Sequence, residues 1–92
     1  MISSFACRDT AALFAGRRIA RFVQIETVAI RKLQQLNAAA TLSFLAAPPG
    51  NRLGRLCGDR SGHYSIRINE RWRICFGFDC GEASEVEIVD CH

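Results

Sequence analysis

Lysine is nearly missing from this chain: eleven of its twelve basic side chains are arginine, and Lys32 is the exception. Arginine's planar fork suits bidentate contact with phosphate, where lysine offers only a point charge. Long apolar runs are missing too, and nothing approaches the roughly 20 residues of a membrane span. The N-terminus lacks a basic region followed by an apolar run, which predicts no signal peptide and residence in the cytoplasm. No CxxC occurs, and the cysteines (Cys7, Cys57, Cys75, Cys80 and Cys91) are odd in number, so a disulfide framework is not expected. A zinc site built from Cys57, His63, Cys91 and His92 fits no ligand spacing, and no metal or other cofactor is predicted. Internal repeats and low-complexity segments are also absent.

Ninety-two residues with 49% hydrophobic side chains can bury a core as one domain. The net charge of +3 says little, but its distribution says more. Residues 1–32 carry six basic and two acidic side chains. Residues 52–73 carry six arginines against Asp59 and Glu70, and residues 74–92 carry five acids and no lysine or arginine. Two readings follow: an arginine-rich solvated surface, or a surface that meets a polyanion.

The most informative stretch is Gly58 to Phe76, GDRSGHYSIRINERWRICF. Tyr64, Ile66 and Ile68 alternate with Ser65 and Arg67; Trp72, Ile74, Phe76 and Phe78 alternate with Arg73 and Cys75. This is a β-hairpin pattern. With Asn69-Glu70-Arg71 as the loop, Ile68 faces Trp72, Ile66 faces Ile74 and Tyr64 faces Phe76. The same register sets Arg67 opposite Arg73 on the other face, and a one-residue slip would drive both arginines into the core. Like charges side by side across a sheet repel by some tenths of a kcal/mol. A pair kept at that cost suggests a visiting polyanion, phosphate first, although an acidic partner segment could also dock there.

Elsewhere, Met1 to Phe5 is an expected edge strand. Asp9 or Thr10 is expected to cap a short helix through Phe14 that stops at Gly16, before a basic cluster of Arg17, Arg18 and Arg21. Ile25, Val28, Ala29, Lys32, Leu33 and Leu36 recur at helical spacing and predict a helix over Gln24 to Leu36, with the Lys32 stem lying along its apolar edge. Thr41 can cap one more turn, which Pro48-Pro49-Gly50 ends. A strand over Arg52 to Cys57 is expected to set Leu56 opposite Tyr64 and Cys57 opposite His63. That register puts Leu53 on the arginine face, so a bulge or a later strand start is the alternative. Cys80-Gly81 marks a turn and Val86 to Asp90 a final strand. The predicted fold class is α+β: two N-terminal helices packed on a small antiparallel sheet of four to five strands.

Arg67, Arg73, Asp90 and His92 are the residues that suggest chemistry, with His63, Arg60 and Arg55 around them. Metal-free RNA cleavage needs a base for the ribose 2′-OH, a cation for the crowded phosphate and an acid for the departing 5′ oxygen. Arg73 and Arg67 suit the second task, His92 suits either proton transfer, and Asp90 could orient His92 or act as base. A chain-end histidine that merely frays and an Asp90 that merely balances arginines are the bland counterparts.

The hairpin motif, PPGNRL before it (Pro48 to Leu53), the ending VEIVDCH (Val86 to His92) and the opening ISSFACRDTAALFAG (Ile2 to Gly16) together closely resemble HigB-type toxins of the RelE/ParE toxin–antitoxin superfamily. The resemblance implies a single RelE-like domain over 1–92 and a metal-free mRNA interferase that cuts messages on the ribosome. It also implies a HigA-type helix-turn-helix antitoxin that silences the toxin and links it to operator DNA, with no membrane partner. Arg73 then matches the family's phosphate-contacting arginine, Asp90 the acid of its terminal motif, and His92 its terminal histidine. Two positions depart from the pattern: Cys91 replaces the tyrosine of Asp-Tyr-His, and Cys57 stands where a lysine often precedes Gly-Asp. Both remove groups that could hold RNA, so attenuated cleavage is expected. Two alternatives stay open: a same-fold toxin acting on another target such as gyrase, and an antitoxin-binding co-repressor without RNase activity.

Overall fold

A computed structural model describes residues 1–55 and 62–90. Leu56, Cys57, Arg60, Cys91 and His92 lie outside the described residues. Three α-helices, α1 (Arg8–Phe14), α2 (Glu26–Ala38) and α3 (Leu42–Ala46), precede four strands: β1 (Gly54–Arg55), β2 (His63–Arg67), β3 (Trp72–Asp79) and β4 (Glu82–Asp90). The strands form one antiparallel sheet in the order β1-β2-β3-β4.

The apolar stripe of α2 lies in the core as the spacing predicts, with Ala29, Leu33 and Leu36 fully buried against Ile66, Ile74, Phe76, Val86 and Ile88. The helix starts two residues later than expected, after Ile25. The short first helix also begins differently. Cys7, not Asp9 or Thr10, is its N-cap, and Thr10 is fully buried with its Oγ1 accepting the backbone N–H of Ile88 at 3.0 Å. A β4 amide facing a helix has no neighbouring strand to pair with there, and the threonine hydroxyl answers it. Gly16 ends the turn at φ 97°, a conformation open to glycine at little cost. Thr41 caps α3, its Oγ1 accepting the Phe44 N–H at 3.3 Å.

The central hairpin has the predicted register: Tyr64 pairs with Phe76, Ile66 with Ile74 and Arg67 with Arg73. Its loop is closed by Asn69, whose Oδ1 accepts the backbone N–H groups of Arg71 and Trp72, both at 2.8 Å. Cys80 and Gly81 turn β3 into β4, both at positive φ, as a two-residue hairpin connection requires.

Three further features depart from the sequence reading. β1 is shifted by one residue, so Gly54 faces Ser65 and Arg55 faces Tyr64. The physical reason is Leu53, which this shift lets pack against the core instead of standing on the arginine face. β4 is longer than expected and carries one extra residue opposite Phe76, with Glu85 at φ 51°. That bulge lets both Ala83 and Val86 face the core. The N-terminal segment runs parallel to β4, touching it through two isolated bridges, Ile2 to Ala83 and Phe5 to Val86, and Ser4 Oγ accepts the Glu85 N–H at the bulge.

Thr10 links α1 to β4 through a buried hydrogen bond. Thr10→Val, which keeps the shape and removes the acceptor, is expected to cost about 1–3 kcal/mol in urea unfolding. Unchanged stability would contradict the role given to this hydroxyl.

Candidate functional site

On a pleated sheet, paired residues share a face. Arg67 and Arg73 therefore project on the same side, together with Ser65 and His63 from β2, Gly54 from β1, and Glu87 and Val89 from β4. The helices cover the opposite side, where Ile66, Ile74 and Phe76 are buried.

Arg73 crosses the sheet toward β1. Its Nε donates to Ser65 Oγ at 3.0 Å, and its Nη2 donates to the Arg52 carbonyl at 3.1 Å. Glycine at 54 leaves room for this path: a Cβ there would stand 3.7 Å from Nη2, already in van der Waals contact. Arg52 itself has φ 44° and ψ 57°, a left-handed conformation that costs a non-glycine residue about 1–2 kcal/mol. The turn places that carbonyl against Arg73. Both acceptors are neutral, so the guanidinium is oriented without losing its charge. Among the described residues, no carboxylate forms an ion pair with Arg67 or Arg73.

His63 occupies the far end of the same face, opposite Gly77 and four residues along β3 from Arg73, about 13 Å away by strand rise. Its Nε2 lies 3.4 Å from a Glu85 carboxylate oxygen, and its ring packs where a Cβ of residue 77 would be, at 3.3 Å.

Asp90 takes a different place. It pairs with Trp72 and so projects on the helical side, whereas its neighbour Val89 lies opposite Arg73. Its carboxylate accepts from Arg71, at 2.8 Å to Nε and 2.7 Å to Nη2, and this contact holds the guanidinium above its ordinary pKa. Arg71 also stacks over Trp72, 5.6 Å from the ring centroid. A cleft of about 350 Å³ opens beside this pair, bounded across from it by Ala20, Val23 and Gln24. Arg55, opposite Tyr64, is not on the Arg73 side either. The structure thus groups Arg67, Arg73 and His63, keeps Asp90 and Arg55 off that face, and does not describe Arg60, Cys57, Cys91 or His92. The Arg71–Asp90 pair is not evident in the sequence, where Asp90 groups with Arg67 and Arg73 as a candidate for chemistry.

Arg21 forms another exposed ion pair on the helical side, its Nε 3.0 Å from Asp9, and its guanidinium lies 4.4 Å above the Phe22 ring. The second nitrogen donates to Cys7 Sγ at 3.3 Å. Partial burial raises the Cys7 pKa, but hydrogen bonds from Thr10 and the Asp9 backbone, with the charge of Arg21, outweigh it and leave the thiol below its ordinary value.

Two arginines side by side on one face of a small sheet, Arg73 oriented by neutral acceptors, can hold a phosphodiester. The chain is 44% identical over 59 residues to Toxin HigB-1 of Vibrio cholerae serotype O1, an alignment covering 64% of this chain and 62% of that toxin. The fold is similar to that in the YoeB–YefM complex from Staphylococcus aureus, with a TM-score of 0.58 at 17% identity over 100% of this chain and 95% of the other. No helix among the described residues is long and apolar enough to cross a membrane. Residues 16–92 match the family described as the RelE-like toxin of the type II toxin–antitoxin system HigB, and the chain belongs to that family.

Proposed function

We propose that this toxin is a ribosome-dependent mRNA endoribonuclease working without a metal, neutralised in the cytoplasm by a HigA-type helix-turn-helix antitoxin that alone carries it to operator DNA. The reading is supported above all by Arg67 and Arg73, side by side on one face with no carboxylate partner among the described residues. In the reaction the 2′ oxygen bonds to phosphorus as its proton passes to a base. The bond from phosphorus to the 5′ oxygen then breaks, and that oxygen takes a proton from an acid. The products are a 2′,3′-cyclic phosphate and a 5′-hydroxyl end. Arg73 and Arg67 stabilise the charge that builds on the phosphate oxygens. His92 transfers protons; Asp90, which projects on the helical side against Arg71, has to leave that pair to orient His92 or serve as base.

The pairing of Asp90 with Arg71 favours a second reading, in which the same fold acts without RNA cleavage, on gyrase or as an antitoxin-binding co-repressor. Mapping 5′ ends of cellular mRNA after induction separates the two. Codon-phased new ends are expected in the wild type, reduced at least about a hundredfold in Arg73→Ala and His92→Ala. Growth arrest with intact messages would exclude the nuclease, and double-strand breaks in DNA would point to gyrase.

Cys57 and Cys91 stand where a cation and an aromatic ring are expected to assist. The pair Cys57→Lys and Cys91→Tyr should raise cleavage in the same mapping experiment, by up to a few kcal/mol of transition-state stabilisation if both groups engage. Equal cleavage before and after would remove the basis for attenuation.

A further inference from the structure

Lys32 is the only charged side chain among the described buried residues, 7% exposed on the core stripe of α2. Its neighbours on that stripe are apolar, and a leucine would extend the pattern without interruption. No carboxylate pairs with it among the described residues. Its Nζ donates to two backbone carbonyls, Arg67 at 2.5 Å and Gly50 at 3.5 Å. Burial, reinforced by Arg31 and Arg67, pushes the ammonium pKa down. A buried cation answered only by carbonyls is costly, and an apolar residue there would be the more stable choice.

The two carbonyls explain what the cation does. One closes β2 at Arg67. The other belongs to the turn Pro49–Asn51, immediately before Arg52, whose own carbonyl anchors Arg73. One helical turn on from Lys32, Gln35 reinforces the same link: its Oε1 accepts from Asn51 Nδ2 at 3.3 Å, while that amide also donates to the Leu45 carbonyl at 2.9 Å. Asn51 is buried, so this turn is nailed to α2 from beneath. The left-handed Arg52 follows directly from it.

We propose that Lys32 is a positioning residue for the arginine pair: by tying the end of β2 and the Pro49–Asn51 turn to α2, it fixes Arg67 and the carbonyl that aims Arg73. The consequence for RNA rests on the nuclease reading above; the brace itself does not.

The test uses the full chain with Lys32→Met and Lys32→Gln, and Arg73→Ala for comparison. Three quantities are measured: the thermal midpoint, the nitrogen-15 NMR signal of the Arg73 Nε–H group, and affinity for a single-stranded oligoribonucleotide. Lys32→Met should match or exceed the wild-type midpoint, since it removes a buried charge. The Arg73 signal should move toward that of a free guanidinium, and RNA affinity should fall at least about tenfold through misplacement alone. Lys32→Gln, with a shorter donor, should lie between, and it carries the same readout if Lys32→Met fails to fold. An Arg73 signal unchanged in the variants would overturn the proposal. A signal that responds while Arg73→Ala leaves RNA affinity intact would uphold the brace and defeat the RNA reading instead.

Discussion

Two guanidinium groups placed directly across from one another repel, and the sheet cannot separate them without turning one into the core. The hairpin that carries Arg67 and Arg73 is therefore under a constraint that packing alone does not relieve. Ser65 Oγ and the Arg52 carbonyl draw Arg73 across β2 toward β1, over Gly54, while leaving its charge available. Gly54, the left-handed Arg52, the buried Asn51 and the buried Lys32 all make sense as parts of that arrangement. Taken singly, each looks like a small local irregularity.

The arginines of the two faces find different partners. On the helical side, Arg21 and Arg71 each have a carboxylate, Asp9 and Asp90, and each lies over an aromatic ring. Such exposed pairs add little to stability. On the other side Arg73 has a hydroxyl and a carbonyl as partners, and neither it nor Arg67 forms an ion pair among the described residues. A phosphate arriving there would meet Arg67 and an already oriented Arg73, and would break no ion pair of either among the described residues. A polyanion is the kind of ligand this asymmetry favours.

Much of this was legible in the sequence because it depends on parity. Alternation through Tyr64 to Phe78 leaves one register for the central hairpin, and the stripe from Ile25 to Leu36 leaves one buried face for α2. What parity cannot reveal is an insertion. The extra residue at Glu85 has no glycine to announce it, and it follows from the N-terminal segment docking on β4. The shift of β1 turned on whether Leu53 or Gly54 faced the arginines, a competition decided by the core. Asp90 shows the same limit: its place in β4 was foreseen, but its side follows from pairing with Trp72. Lys32 was read as a lysine stem along an apolar edge, because spacing shows which face a residue is on and not which carbonyls wait there.

The salt dependence of binding tests the central claim most directly. Affinity for a single-stranded oligoribonucleotide is measured against salt concentration for the wild type, Arg67→Gln and Arg73→Gln, with unfolding free energies alongside. If the pair is held for phosphate, each substitution lowers the slope of log affinity against log salt by about 0.7, while stability stays level or rises as the repulsion is relieved. Slopes that do not change, together with lower stability, would show that the two arginines serve the fold and not an RNA backbone.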